Sequence, residues 1–130
     1  SGTSVIYRSS NLGDQWRKVW EGSELGAVHS LVVAASNPDV VIAGSNSGIF
    51  RSTDAGASWT SVWSSQQMKG GKVYGLANTS ADPSLVFAAL SHHFPMEQAA
   101  REAGLTYHYQ PVVASEIDDQ DVTLLIMREV

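Results

Sequence analysis

The sequence predicts a mainly β protein: antiparallel, blade-like sheets built from a repeated unit, followed by a small C-terminal α/β segment. Three observations predict it. First, "YRSSNLGDQW" (7–16) returns as "FRSTDAGASW" (50–59), a shift of 43 residues that also sets Ile6 on Ile49, Val19 on Val62 and Trp20 on Trp63. Second, "VHSLVVAASNPDVVIAG" (28–44) aligns without gaps on "VYGLANTSADPSLVFAA" (73–89), a shift of 45. Third, the apolar residues between these landmarks recur with a period near 2 and are interrupted by Gly, Asn, Asp and Pro, the pattern of short strands and tight turns.

A repeat of 43–45 residues lies in the range of propeller blades and solenoid units. One complete unit runs from 28 to 64. Val28–Ala34 is β-branched and apolar and reads as a buried strand. Ser36-Asn37-Pro38-Asp39 is turn chemistry: Pro presets φ, and Asn and Asp bond their own backbone. Val40–Gly44 is a second strand, Ser45–Gly48 a hairpin turn and Ile49–Ser52 a third strand. Asp54-Ala55-Gly56 turns the chain into a fourth strand, Trp59–Trp63. In this turn Gly56 supplies a positive φ, Asp54 accepts backbone N–H bonds, and the hydroxyls of Ser52 and Ser58 add local bonds. Trp59 then covers the hairpin with a large apolar face. In the first copy Asn11 stands for Asp54 and keeps the acceptor oxygen without the charge.

The pattern Ser-x-Asp-x-Gly-x-Ser-Trp resembles the Asp box, or BNR repeat, of sialidase-like and sortilin-like β-propellers. "SNPDVVIAGSNSGIFRSTDAGASW" is similar to blades of bacterial Asp-box proteins, among them xyloglucanase-type glycoside hydrolases and photosystem assembly factors. The resemblance spans residues 4–90. It implies that Ser9, Asn11, Gly13 and Trp16, and likewise Ser52, Asp54, Gly56 and Trp59, form structural surface turns away from any active site. The blade equivalents are out of phase: strands three and four, then a full blade, then strands one and two.

After "VFAAL" (86–90) the repeat stops and composition changes. Residues 95–103 read as a short helix with Pro95 in its first turn and Gly104 as its C-cap. "LTYHYQPVV" (105–113) reads as a strand, 115–121 as a polar turn, and "VTLLIM" (122–127) as a strand or a helix. Residues 97–122 resemble a second family, small phosphatase-like domains of the beta-lactamase-hydrolase-associated type. That family's Cys-x5-Arg loop has no counterpart in a chain without cysteine, so its activity does not carry over. Two unrelated resemblances in one chain are what an engineered or shuffled chimera, or a frame-disrupted gene, produces. The domain reading is therefore 1–90 as blade repeats and 91–130 as a helix–strand segment.

Charge and composition bound the function. The net charge of −5, with eight scattered Lys and Arg, argues against nucleic acid. The absence of cysteine excludes disulfides, thiolate metal sites and cysteine nucleophiles. No apolar run reaches membrane-spanning length and no signal peptide is visible, so no membrane partner is expected and the compartment stays open. The Ser1-Gly2 start predicts processing or trimming, and Asn78-Thr79-Ser80 fits the glycosylation sequon. His92, His93 and His108 are the weak metal candidates; adjacent strand histidines point to opposite faces and do not share an ion readily. Glu116, Asp118, Asp119 and Asp121 lack calcium-loop spacing and read as a solvated turn. Asp14, Glu21, Glu24 and Asp39 fall on predicted turns, and none is distinguishable as a glycosidase acid or nucleophile. Trp16, Trp20, Trp59 and Trp63 would stack sugars if exposed, but at blade positions they are expected between sheets.

The expectation is a protein without autonomous catalysis, cofactor or metal: a structural and interaction module. Its unpaired strand edges predict a homo-oligomer, a dimer first of all. The alternative is a fragment or relative of an Asp-box glycoside hydrolase acting on or binding carbohydrate.

Overall fold

Each apolar stretch between turns becomes a strand. The computed structural model describes residues 3–34, 37–64, 73–79, 81–82, 84–90, 109–116 and 123–129. In chain order the strands are β1 (Ser4–Arg8), β2 (Arg17–Gly22), β3 (Val28–Val33), β4 (Val41–Ser45), β5 (Gly48–Ser52), β6 (Thr60–Ser64), β7 (Val73–Asn78), β8 (Leu85–Leu90), β9 (Tyr109–Glu116) and β10 (Thr123–Glu129). They form a two-stranded sheet β1-β2, a central sheet β3-β4-β5-β6, and a second four-stranded sheet ordered β7-β8-β10-β9. All pairings are antiparallel.

The sequence repeat is reproduced in the strand register. The β5–β6 pairs Gly48↔Ser64, Ile49↔Trp63, Phe50↔Ser61 and Arg51↔Thr60, moved back by the 43-residue shift, become Val5↔Glu21, Ile6↔Trp20, Tyr7↔Lys18 and Arg8↔Arg17. Those are the pairs that β1 and β2 make, with the irregularity in the same place. The β3–β4 pairs, from Val28↔Ser45 to Val33↔Val41, recur in β7–β8 as Val73↔Leu90 to Asn78↔Val86 at the 45-residue shift. Even the extra residue recurs: His29 and Tyr74 fall at equivalent register breaks, and their rings meet edge to face at 5.7 Å.

The two faces of the central sheet are apolar for the same reason, strand alternation, but are covered unequally. On one face Ile42, Ile49, Val62 and Trp63 pack with Val73, Val86, Ala88 and Met127 of the second sheet. Gly44 makes this approach close, since a Cβ there would overlap the Val73 side chain. On the other face Ala43 and Phe50 pack with Ile6 and Leu25, flanked by Val19, Trp20, Val28 and Trp59.

Several expectations need adjustment. The fourth strand of the complete unit starts at Thr60, leaving Trp59 just outside it. Glu21 lies within β2, not on a turn, and pairs with Lys18 at 2.7 Å. Of the run read as a strand or a helix, residues 123–127 are strand, because β10 lies between β8 and β9 and is hydrogen-bonded on both edges. Strand β9 runs on through Glu116, past the expected start of the polar turn. Both edges of β8 are thereby occupied, one by β7 and one by β10. The helix expected at 95–103 lies outside the described residues. Among the described residues no helix is long and apolar enough to cross a membrane.

Candidate functional site: two matched turns and an open strand edge

The turn between β5 and β6 is organised by Ser52 and Asp54. The Ser52 hydroxyl donates to Asp54 Oδ1 at 2.8 Å and accepts the Gly56 N–H at 2.9 Å. Asp54 Oδ1 also accepts the Ser58 N–H at 2.8 Å, and Asp54 Oδ2 takes the Ser58 hydroxyl. These donors, Ser58 first and then Ser52, hold the Asp54 carboxyl down to about 2. Ala55 and Gly56 take φ of 60° and 98°. The Trp59 indole N–H closes the motif on the Gly56 carbonyl at 2.9 Å.

The turn between β1 and β2 repeats the Ser–Asx core of this network. Ser9 donates to Asn11 Oδ1 at 3.0 Å and accepts the Gly13 N–H at 2.8 Å. Asn11 Oδ1 accepts the Gln15 N–H at 2.9 Å. Leu12 and Gly13 carry the positive φ values, 62° and 93°. An amide oxygen thus replaces a carboxylate oxygen without a change of geometry. In both turns the Ser and the Asp or Asn side chain are engaged by the turn itself.

The two tryptophans differ in their cover. Trp59 is half-buried because β1–β2 lies against it, and Ile6 and Val19 belong to the same cluster. Trp16, expected between sheets, is 63% exposed. Among the described residues no sheet covers Trp16 as β1–β2 covers Trp59. Trp16 instead borders an open groove of about 530 Å³ with Arg8, Ser10, Asn11, Gln15 and Arg17.

A second opening lies beside β1. Among the described residues β1 pairs only with β2, and none of them pairs with its other edge. A groove of about 290 Å³ runs there, lined by Ser4, Val5, Ile6, Val28, His29, Ser30 and Leu31. The Ser4 hydroxyl anchors its base, donating to the Gly26 carbonyl and accepting the Val28 N–H at 3.3 Å. Leu31 and Val33 pair with Ala43 and Val41 and so share the face on which Ala43 packs against Ile6. Yet they are 43% and 52% exposed, because β1–β2 does not extend over β3. The sequence signal for this opening was the repeat itself, which makes β1 a counterpart of β5 without a counterpart of β4 ahead of it in the described residues.

The other sequence candidates do not converge. His92, His93, His108, Asp118, Asp119 and Asp121 lie outside the described residues, and among the described residues no group of His, Cys, Asp and Glu is arranged to hold a metal. Asp14 and Glu24 are exposed, and Asp39 contributes its backbone carbonyl to the Ala55 N–H at 2.9 Å. The sequon asparagine, Asn78, donates its amide to the Val33 carbonyl at 2.6 Å. No family model matches the chain, and neither a curated protein nor a solved structure matches it.

Proposed function

We propose that the chain is a non-catalytic interaction module of the Asp-box propeller-blade type, which associates with itself through a free strand edge. The observation that carries this reading is the open edge of β1 above the uncovered Leu31 and Val33. An unpaired edge beside bare apolar side chains favours association, since pairing satisfies backbone groups and removes apolar area from water. The engaged state of Asp54 and Asn11 supports a structural role for both turns. Light scattering at micromolar concentration tests the reading. The expected mass is twice the chain's 13.9 kDa, and a concentration-independent 13.9 kDa would count against it.

A second reading has one observation in its favour. The exposed Trp16, with Arg8, Asn11, Gln15 and Arg17 around one groove, combines an aromatic platform with polar side chains of the kind that hold a sugar ring. A glycan array on which wild type gives signal and Trp16→Ala gives none would support carbohydrate binding. A blank array retires it.

A further inference from the structure

Resting on the self-association just proposed, we infer that the slot beside β1 is filled by β7–β8 of a second copy, so that two chains close a ring of four sheets. The register argument comes first. By the internal repeat, β1 is the counterpart of β5, and β8 is the counterpart of β4. Within the chain β4 and β5 pair as Val41↔Ser52, Ile42↔Arg51, Ala43↔Phe50, Gly44↔Ile49 and Ser45↔Gly48. Carried by the same two shifts, β8 of one copy meets β1 of the other as Val86↔Ser9, Phe87↔Arg8, Ala88↔Tyr7, Ala89↔Ile6 and Leu90↔Val5.

The packing argument is independent of the register. In each copy β1–β2 covers one face of the central sheet through Ile6, and β7–β8 covers the other through Val86 and Ala88. Joining β8 of one copy to β1 of the next keeps the contacts of Ile6, Val86 and Ala88 and gives up that of Met127 in β10. It places β7 of the second copy over β3, where Leu31 and Val33 are bare. It also brings the partner's central sheet against Tyr7, 56% exposed, and against Trp16. Trp59 packs with Ile6 and Val19; the 43-residue shift turns that contact into Trp16 of one copy on Ile49 and Val62 of the other. One operation therefore covers Tyr7, Trp16, Leu31 and Val33 together. Each chain supplies a whole sheet and two halves, so two chains make four sheets, at the lower end of the roughly four to eight blades with which propellers close.

In the single chain β10 holds the place that this pairing needs. It meets β8 from Thr123↔Leu90 to Met127↔Val86, the positions that β5 takes on β4. The β9–β10 hairpin is thus an internal plug, and dimerisation exchanges it for β1 of the partner.

The chain has no cysteine, which permits a direct test. Full-length Tyr7→Cys and Ala88→Cys proteins, one with a longer tag, are mixed and oxidised. Antiparallel partners stand within disulfide reach, so a reducible mixed dimer is expected at roughly tenfold or more over a Thr53→Cys and Ala88→Cys mixture. A dimer mass by light scattering without the mixed cross-link would leave self-association standing and overturn the β8–β1 pairing. A monomer mass would overturn both. Should Ala88→Cys not fold, Arg8→Cys with Phe87→Cys reads the neighbouring pair, and its failure to cross-link in a dimer of correct mass counts equally against the exchange.

Discussion

Asp54 is an acid whose chemistry is directed inward. Both of its oxygens accept hydrogen bonds, and the resulting fall of its pKa from 3.8 to about 2 ties the turn to pH. The folded-state pKa lies below the unfolded one, so the carboxylate contributes stability that is present above about pH 4 and is lost as pH falls through about 2. Thermal melts of wild type and Asp54→Asn between pH 5 and 2 should therefore converge as pH drops, the difference between them being largest above pH 4. Curves that stay parallel would mean that Asp54 is not held by Ser52 and Ser58. The first turn already contains the natural variant: Asn11 keeps the bonds to Ser9 and Gln15 without an ionisable group. At this scale the sequence was informative, because Ser-x-Asp-x-Gly names a local hydrogen-bond network. Trp16 was misjudged because its surroundings depend on whether a neighbouring sheet exists, which no local pattern encodes.

At the scale of elements, alternation and turn residues located the strands from β3 to β6 to within a residue. Beyond residue 90 the apolar run of β10 was ambiguous, since a short run of this kind suits a strand or a buried helix equally. Its pairing with β8 was not legible at all: it joins residues far apart in sequence and inverts the order of the last two strands. The contact between sheets depends on Gly44, which lies opposite Val73 and Leu76. Leu76 is further fixed by its N–H, which donates to the Ser30 hydroxyl at 3.1 Å. A Gly44→Ala methyl must push the second sheet away from the central one. We expect a loss of about 1–3 kcal/mol in urea unfolding, the usual range for overpacking a tight core. Gly75→Ala, where a Cβ would meet nothing within 4 Å, is the control and should cost less. Equal costs would contradict the packing described.

Among the described residues the central sheet is covered on one face by the second four-stranded sheet and on part of the other by β1–β2. That asymmetry matches the repeat, in which β1 is the counterpart of β5, and among the described residues β1 has no neighbour on its outer side. The sequence displayed the phase, and the structure adds its physical consequence: bare Leu31 and Val33, an exposed Tyr7 and an exposed Trp16 on surfaces that one partner can cover together. Amide hydrogen exchange of β1, followed as protein concentration rises, reads this consequence most directly. The amides of Ser4–Arg8 that β2 leaves unpaired should exchange quickly in dilute solution and become protected with increasing concentration. Exchange that stays fast at every concentration, in a sample whose central sheet is protected, would contradict the account.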